Sequence, residues 1–308
     1  MAYDANSIKS LSFRDGVRTR IQMYLGSADN EGAYQAIKEI LNNSTDEAIA
    51  GFGKQIDISI KPSINVVRIR DYGRGVPFLV KEDGTNVLVD VYTKAHTGGK
   101  FDDSVYKNVS GLNGIGGSCV CLSSLWFDVQ SYRNNRGAHA SFRKGNLAQY
   151  LEFECDGYAD GTFIEFAPDP EVFKDEPIQY NFERICNDIQ SISYLYSGIT
   201  FNLLNEDTKE KKVYCAKNGI VDFVKDNNKN PLHKHVITGM AEDETDKIEI
   251  AFQWGDIKES EYVFVNGLRC PEGGSPITGA KGAITRTFNS LSGVCVGILY
   301  NFAPVRDQ

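Results

Sequence analysis

The sequence predicts an α+β fold in two parts. Three observations carry this. A helical pattern runs from about Gly32 to Gly51 with apolar residues on one face. Closely spaced strand patterns at 126–133, 138–144 and 147–155 read as an antiparallel meander. An Asn- and Lys-rich stretch, Asp226–Pro231, separates them from a second set of strands and a helix. The expected parts are residues 1–225 and 232–308.

Composition narrows the function classes. The chain has 308 residues, enough for two domains, and a formal net charge of −8, which argues against a generic nucleic-acid binder but not against a local basic face. No run is long and apolar enough for a membrane span, and no signal-peptide pattern opens the chain, so a cytoplasmic location is expected. The seven cysteines are scattered, none forming a Cys-x-x-Cys pair, and read as small core residues of a reducing compartment.

Residues 1–10 are polar, with Tyr3 and Ile8 as the bulky anchors. Residues 11–26 predict one short helix ending in a turn at Gly26. In the helix that follows, Ala36, Ile37, Ile40, Leu41, Ala48 and Ile49 supply the apolar face. Glu39, Asn43 and Asp46 align along another side, at i, i+4 and i+7. Asn and Asp are poor in helix interiors, so their presence there points to chemistry rather than helix stability. A solvated polar face is the plainer explanation for any such helix taken alone.

Alternation of Ile56, Ile58 and Ile60 predicts a strand over Gln55–Lys61. Pro62-Ser63 turns the chain into a second strand, Asn65–Asp71. That strand runs into Asp71-Tyr72-Gly73-Arg74-Gly75, where glycines two and four residues past an Asp suit a tight turn whose backbone approaches a ligand. Residues 93–118 carry Gly98, Gly99, Gly111, Gly114, Gly116 and Gly117 with Lys94, Lys100 and Lys107. They lead into a small, apolar helix at Ser118–Leu125. A glycine- and lysine-bearing loop entering a helix N-terminus suits phosphate, although the Walker A spacing is absent. A strand at 161–166 begins with Gly161-Thr162, Asn181–Ser197 reads as a helix, and Ile199–Leu204 as a strand. Asn205–Lys212 reads as a surface turn and Gly219–Lys225 as a short helix. Strands at 233–239, 247–254 and 260–265, a Gly/Pro loop at 271–276, a helix at 279–291 and a strand at 294–301 complete the chain.

Together these parts suit a nucleotide whose phosphates are bridged by Mg²⁺, a cation that takes oxygen ligands and keeps waters. Their order also carries a resemblance. Glu39…Asn43…Asp46-Glu47, Asp71-x-Gly73-x-Gly75, Gly111-x-x-Gly114-x-Gly116 and Gly161-Thr162 resemble the four motifs of the GHKL ATPases. Met23-Tyr24-Leu25-Gly26, Thr97-Gly98-Gly99-Lys100-Phe101-Asp102-Asp103, Phe264-Val265-Asn266-Gly267 and Ala283-Ile284-Thr285-Arg286 resemble the ATPase subunits of type IIA topoisomerases, the gyrase B and ParE pattern. The resemblance implies an α/β sandwich of the GHKL (Bergerat) kind, with a mixed, mostly antiparallel sheet, followed by a transducer domain.

What the resemblance implies for residues is specific. Glu39 would be the general base and Asn43 the Mg²⁺ ligand, with Asp46 in the nucleotide pocket. Asp71 would bind the adenine amino group, supported by Thr162. Gly73 and Gly75 would admit the base, and Arg133 would stand at the adenine mouth. Lys100, Lys107 and the backbone of Leu112, Asn113, Gly114, Ile115 and Gly116 would hold the phosphates of ATP. Tyr3 and Ile8 would belong to an arm that reaches a second copy, so that ATP drives homodimerisation. DNA and a cleavage subunit or domain would be the partners of the full enzyme.

Departures from the family pattern are Arg20-Ile21-Gln22 before Met23, Asn42, Asn113 and Ser275-Pro276. The family's Gln-Thr-Lys loop normally lies beyond a strand like Val294–Asn301, so an N-terminal portion with a partial transducer is expected. A nucleotide-dependent clamp in another DNA-processing or defence system is the alternative. A histidine kinase domain is disfavoured by the strands and helix after Pro231 and by the lack of a phosphoacceptor-His helix.

Overall fold

Alternating apolar residues set the sheet around which the first part of the chain is built. The computed structural model describes residues 10–82, 84–97, 114–243, 247–256, 260–265, 268–270 and 272–292. The chain divides into two compact units after Phe223.

In the first unit the strands are β1 (Gln55–Lys61), β2 (Val66–Asp71), β3 (Ser124–Arg133), β4 (Arg136–Arg143), β5 (Asn146–Glu154), β6 (Gly161–Pro168), β7 (Thr200–Asn205) and β8 (Lys211–Tyr214). They form one sheet in the order β5-β4-β3-β6-β2-β1-β7-β8. The β1–β7 pair is parallel and the other neighbours are antiparallel, the mixed, mostly antiparallel arrangement expected. Register aligns Leu203, Ile58, Ile69, Ile164, Val129 and Ala140 in a row across six strands, all buried. Each large aliphatic side chain so buried contributes about 1.5–3 kcal/mol of transfer free energy.

Helices cover this apolar face. They are α1 (Phe13–Thr19), α2 (Gln22–Leu25), α3 (Asn30–Ile49), α4 (Val87–Thr93), α5 (Gly116–Ser123) and α6 (Phe182–Leu195). Asp29 caps α3, accepting from the N–H groups of Glu31 and Gly32. Gly32 is obligatory there, because a Cβ would lie 2.1 Å from the Ser27 carbonyl oxygen. Helix α3 buries Ala33, Ala36, Ile37, Ile40 and Leu41 in the core and ends where Gly51 takes φ +91°.

Several expectations need correction. The single helix expected over 11–26 is two, because the backbone breaks at Arg20 (φ −133°, ψ 49°) before α2 begins. The stretch read as a surface turn runs into β8 at Lys211, an edge strand in which two lysines precede Val213 and Tyr214, a sequence without the apolar alternation that would reveal its pairing to β7. Helix α4, capped by Asn86, has no counterpart among the expected elements.

Helix α7 (Ile220–Asn227) spans the division between the units. The second unit pairs β9 (Ile237–Glu242) with β10 (Lys247–Phe252) and β11 (Phe264–Val265) with β12 (Leu268–Arg269). Its helix α8 (Gly274–Ser292) starts five residues earlier than the Gly/Pro loop suggested. Pro276 lies in its first turn, where proline is tolerated. Trp254 gathers His233, Phe252 and Phe288 around it. The strand expected at 294–301 lies outside the described residues. Among the described residues no helix is long and apolar enough to cross a membrane.

Candidate functional site

The inward face of the sheet turns polar at one end. Val67, Ile69 and Asp71 all face the helices, so the alternation that builds the core also buries a carboxylate, 6% exposed. Asp71 Oδ1 accepts from the N–H of Gly73 (3.0 Å) and of Thr162 (3.1 Å). Its Oδ2 accepts from the Ser44 hydroxyl of α3 at 3.4 Å. Burial pushes its pKa up to about 6, while the two backbone donors and the Arg70 charge pull the other way. Thr162 thus meets Asp71 through its main chain, and Ser44 is a contact that sequence reading missed. A serine beside two asparagines in a helix was the available signal.

The turn after Asp71 is locked from both sides. Glu47 accepts from the Arg74 backbone N–H (3.1 Å), from Nε (3.0 Å) and from Nη2 (2.8 Å), while Arg74 lies over the Phe52 ring. A side chain at Gly73 would strike Glu47, its Cβ 2.8 Å away. Gly75 has φ +68° and packs its α-carbon against the carbonyl oxygens of Tyr132 and Gly161. Arg133 donates from Nη1 to the Gly75 carbonyl oxygen at 2.6 Å, so it braces this turn.

At the other end lie Glu39 and Asn43, both half-buried. Gln35, one turn earlier, donates from Nε2 to Glu39 Oε1 at 2.9 Å. The N-terminus of α5 is pressed onto these side chains. A Cβ on Gly116 would sit 2.0 Å from Glu39 Oε2, and one on Gly117 would sit 3.4 Å from Asn43 Nδ2. Gly114, at φ +59°, and Ile115 deliver the chain to this point. The N–H groups of the first turn of α5 have no intrahelical acceptor, and the helix dipole adds positive potential there. Asp46, the third member of the expected stripe, is only 1% exposed. Tyr3, Lys100, Lys107, Leu112 and Asn113 lie outside the described residues.

The arrangement therefore has two chemically distinct ends spanned by α3. One is a buried acceptor beside glycines, suited to a flat amino-bearing group. The other is a carboxylate and an amide facing helix N–H donors, suited to an anion that reacts with water. Buried cysteines near it are inert: burial raises the thiol pKa of Cys119 to about 12.

Known proteins share this chain's sequence and fold. A family profile described as DNA gyrase B matches residues 219–294. The chain is 34% identical over 288 residues to the B subunit of the type 2 topoisomerase of Aquifex aeolicus (strain VF5), covering 92% of this chain and 36% of that protein. It is 32% identical over 296 residues to the B subunit of DNA gyrase from Enterococcus faecalis (strain ATCC 700802 / V583), covering 94% and 46%. The B subunit of DNA topoisomerase 4 from Staphylococcus aureus is 34% identical over 296 residues, covering 94% and 44%. The chain thus spans less than half the length of these relatives. The crystal structure of the 43K ATPase domain of Thermus thermophilus gyrase B in complex with an aminocoumarin superposes with a TM-score of 0.79 at 24% identity, covering 91% of this chain and 73% of that one. By sequence the chain is similar to gyrase and topoisomerase 4 B subunits over more than nine-tenths of its own length, and its fold is that of the gyrase B ATPase domain.

Proposed function

We propose that this chain binds and hydrolyses ATP, and that it serves as the ATP-operated dimerisation gate of a type IIA DNA topoisomerase. The observation that carries the reading is the span of α3. It presents Ser44 to Asp71 at one end and Glu39 and Asn43 to the N-terminus of α5 at the other. The adenine amino group donates to Asp71. The phosphates lie against the first turn of α5, held further by Lys100 and Lys107. Glu39, positioned by Gln35, orients the attacking water and accepts its proton.

Mg²⁺ fits the donor set, since a half-buried amide oxygen at Asn43 beside phosphate oxygens is a hard-ligand environment. When bound, the ion neutralises charge on the phosphates. Homodimerisation through the segment bearing Tyr3, action on DNA with a cleavage subunit or domain, and a cytoplasmic location complete the proposal. The B-subunit relatives favour it over a clamp in another DNA-processing system.

Calorimetry of the chain with ATP and Mg²⁺ tests the binding. Saturable heat with ATP, weakened in an Asp71→Asn variant, is the expected result. Equal affinity in the parent and this variant refutes the placement of adenine.

A further inference from the structure

Two arginines one turn apart on α1 reach across the fold from the N-terminal segment. Arg14 donates from Nε to the Lys144 carbonyl oxygen in the β4–β5 turn, at 2.9 Å. Arg18 donates from Nη1 to the Leu122 carbonyl oxygen at 3.0 Å, and from Nη2 to Asp169 Oδ2 at 2.5 Å. Leu122 is in the last turn of α5, so Arg18 caps the negative end of the helix whose other end meets Glu39 and Asn43. The pair is well shielded: the Arg18 side chain is 13% exposed and Asp169 1%. Asp169 is itself fixed, because its N–H donates to the Ser123 carbonyl oxygen and its Oδ1 accepts from the Glu171 N–H.

We propose that Arg18 is a positioning residue for the phosphate end of the site, acting through α5. This rests on the ATP reading above. Helix α5 has only 8 residues, roughly 12 Å at about 1.5 Å per residue, so an error at its C-terminal end is carried to its N-terminus. Gly116 leaves no slack, because its α-carbon is packed directly on the Glu39 carboxylate. A shift of about 1 Å in such a contact can cost about 10² in rate. The N-terminal segment and the catalytic carboxylate are thereby coupled through one helix. The Asp71 end, held by β2, β6 and α3, has no such dependence on Arg18.

The test uses the full chain with Arg18→Met combined with Asp169→Asn, which removes both charges and leaves no lone buried ion. ATP–Mg²⁺ and adenosine are titrated separately, and ATP turnover is followed. The expected result is a loss of about tenfold or more in ATP affinity, with turnover reduced and adenosine affinity within about twofold of the parent. Arg18→Lys, which reaches Asp169 or Leu122 but cannot fork to both, falls between. It carries the test if the double variant does not fold. Equal losses for ATP and adenosine, or ATP binding and turnover unchanged, overturn the proposal. A parent chain that binds neither ligand refutes the ATP reading itself, and this inference falls with it.

Discussion

Glu39 and Asp71 are both carboxylates on the inner side of the fold, and their surroundings differ. Glu39 is half-buried with an amide donor, Gln35, on one oxygen. Glu39→Ala should leave ATP binding within a few-fold of the parent, a range of about 1 kcal/mol, and lower turnover by about 10²–10⁴. Gln35→Ala should lower it less. Steady-state phosphate release measures both, and parent-like turnover in Glu39→Ala removes the assigned base. Asp71 is different because burial raises its pKa from 3.8 to about 6. An acid whose pKa is higher folded than unfolded holds its proton more tightly when folded. Its stabilising contribution is therefore full below 3.8 and lost as pH rises through about 6, an amount of about 3 kcal/mol. Urea unfolding from about pH 3 to about pH 7, a range bracketing both values, should show this slope in the parent and its loss in Asp71→Asn. An amino group donating to Asp71 favours the ionised form, so ATP affinity should fall as pH drops below about 6.

At the level of elements, what matters is how closely backbone is allowed to approach. Gly75 combines φ +68° with a Cβ position 2.5 Å from the Tyr132 carbonyl oxygen. Gly75→Ala should therefore cost roughly 1–3 kcal/mol from the backbone alone, and more from the clash, seen as a lowered melting temperature. Gly116→Ala is a different experiment. The atom it meets is the far end of the Glu39 side chain, which can swing away. Its melting temperature should stay near the parent's while turnover drops by about 10². A parent-like rate in Gly116→Ala means that the Glu39 position seen here is not the working one. The glycines were legible as a class from spacing. Which of them touches which carboxylate was not, because the contact joins residues 77 positions apart in the chain.

Across the whole molecule the division after Phe223 makes a further prediction. The first unit holds the eight-stranded sheet, the core beneath it and every described residue of the candidate site. Residues 1–225 expressed alone should unfold cooperatively and keep ATP affinity, measured by calorimetry; loss of binding would mean that the second unit completes the site. The sequence by itself determined the strands of the meander, the span of α3, and the motif order, because periodicity and glycine spacing are local and survive without the fold. It left α4 and β8 unread, since neither a short capped helix nor a lysine-rich edge strand has a strong period. Only the tertiary structure decided that Thr162 meets Asp71 through its main chain, that Glu47 clamps Arg74, and that Arg18 caps α5. Those contacts depend on strand register and on helix packing between residues far apart in sequence, and neither is written in any single segment.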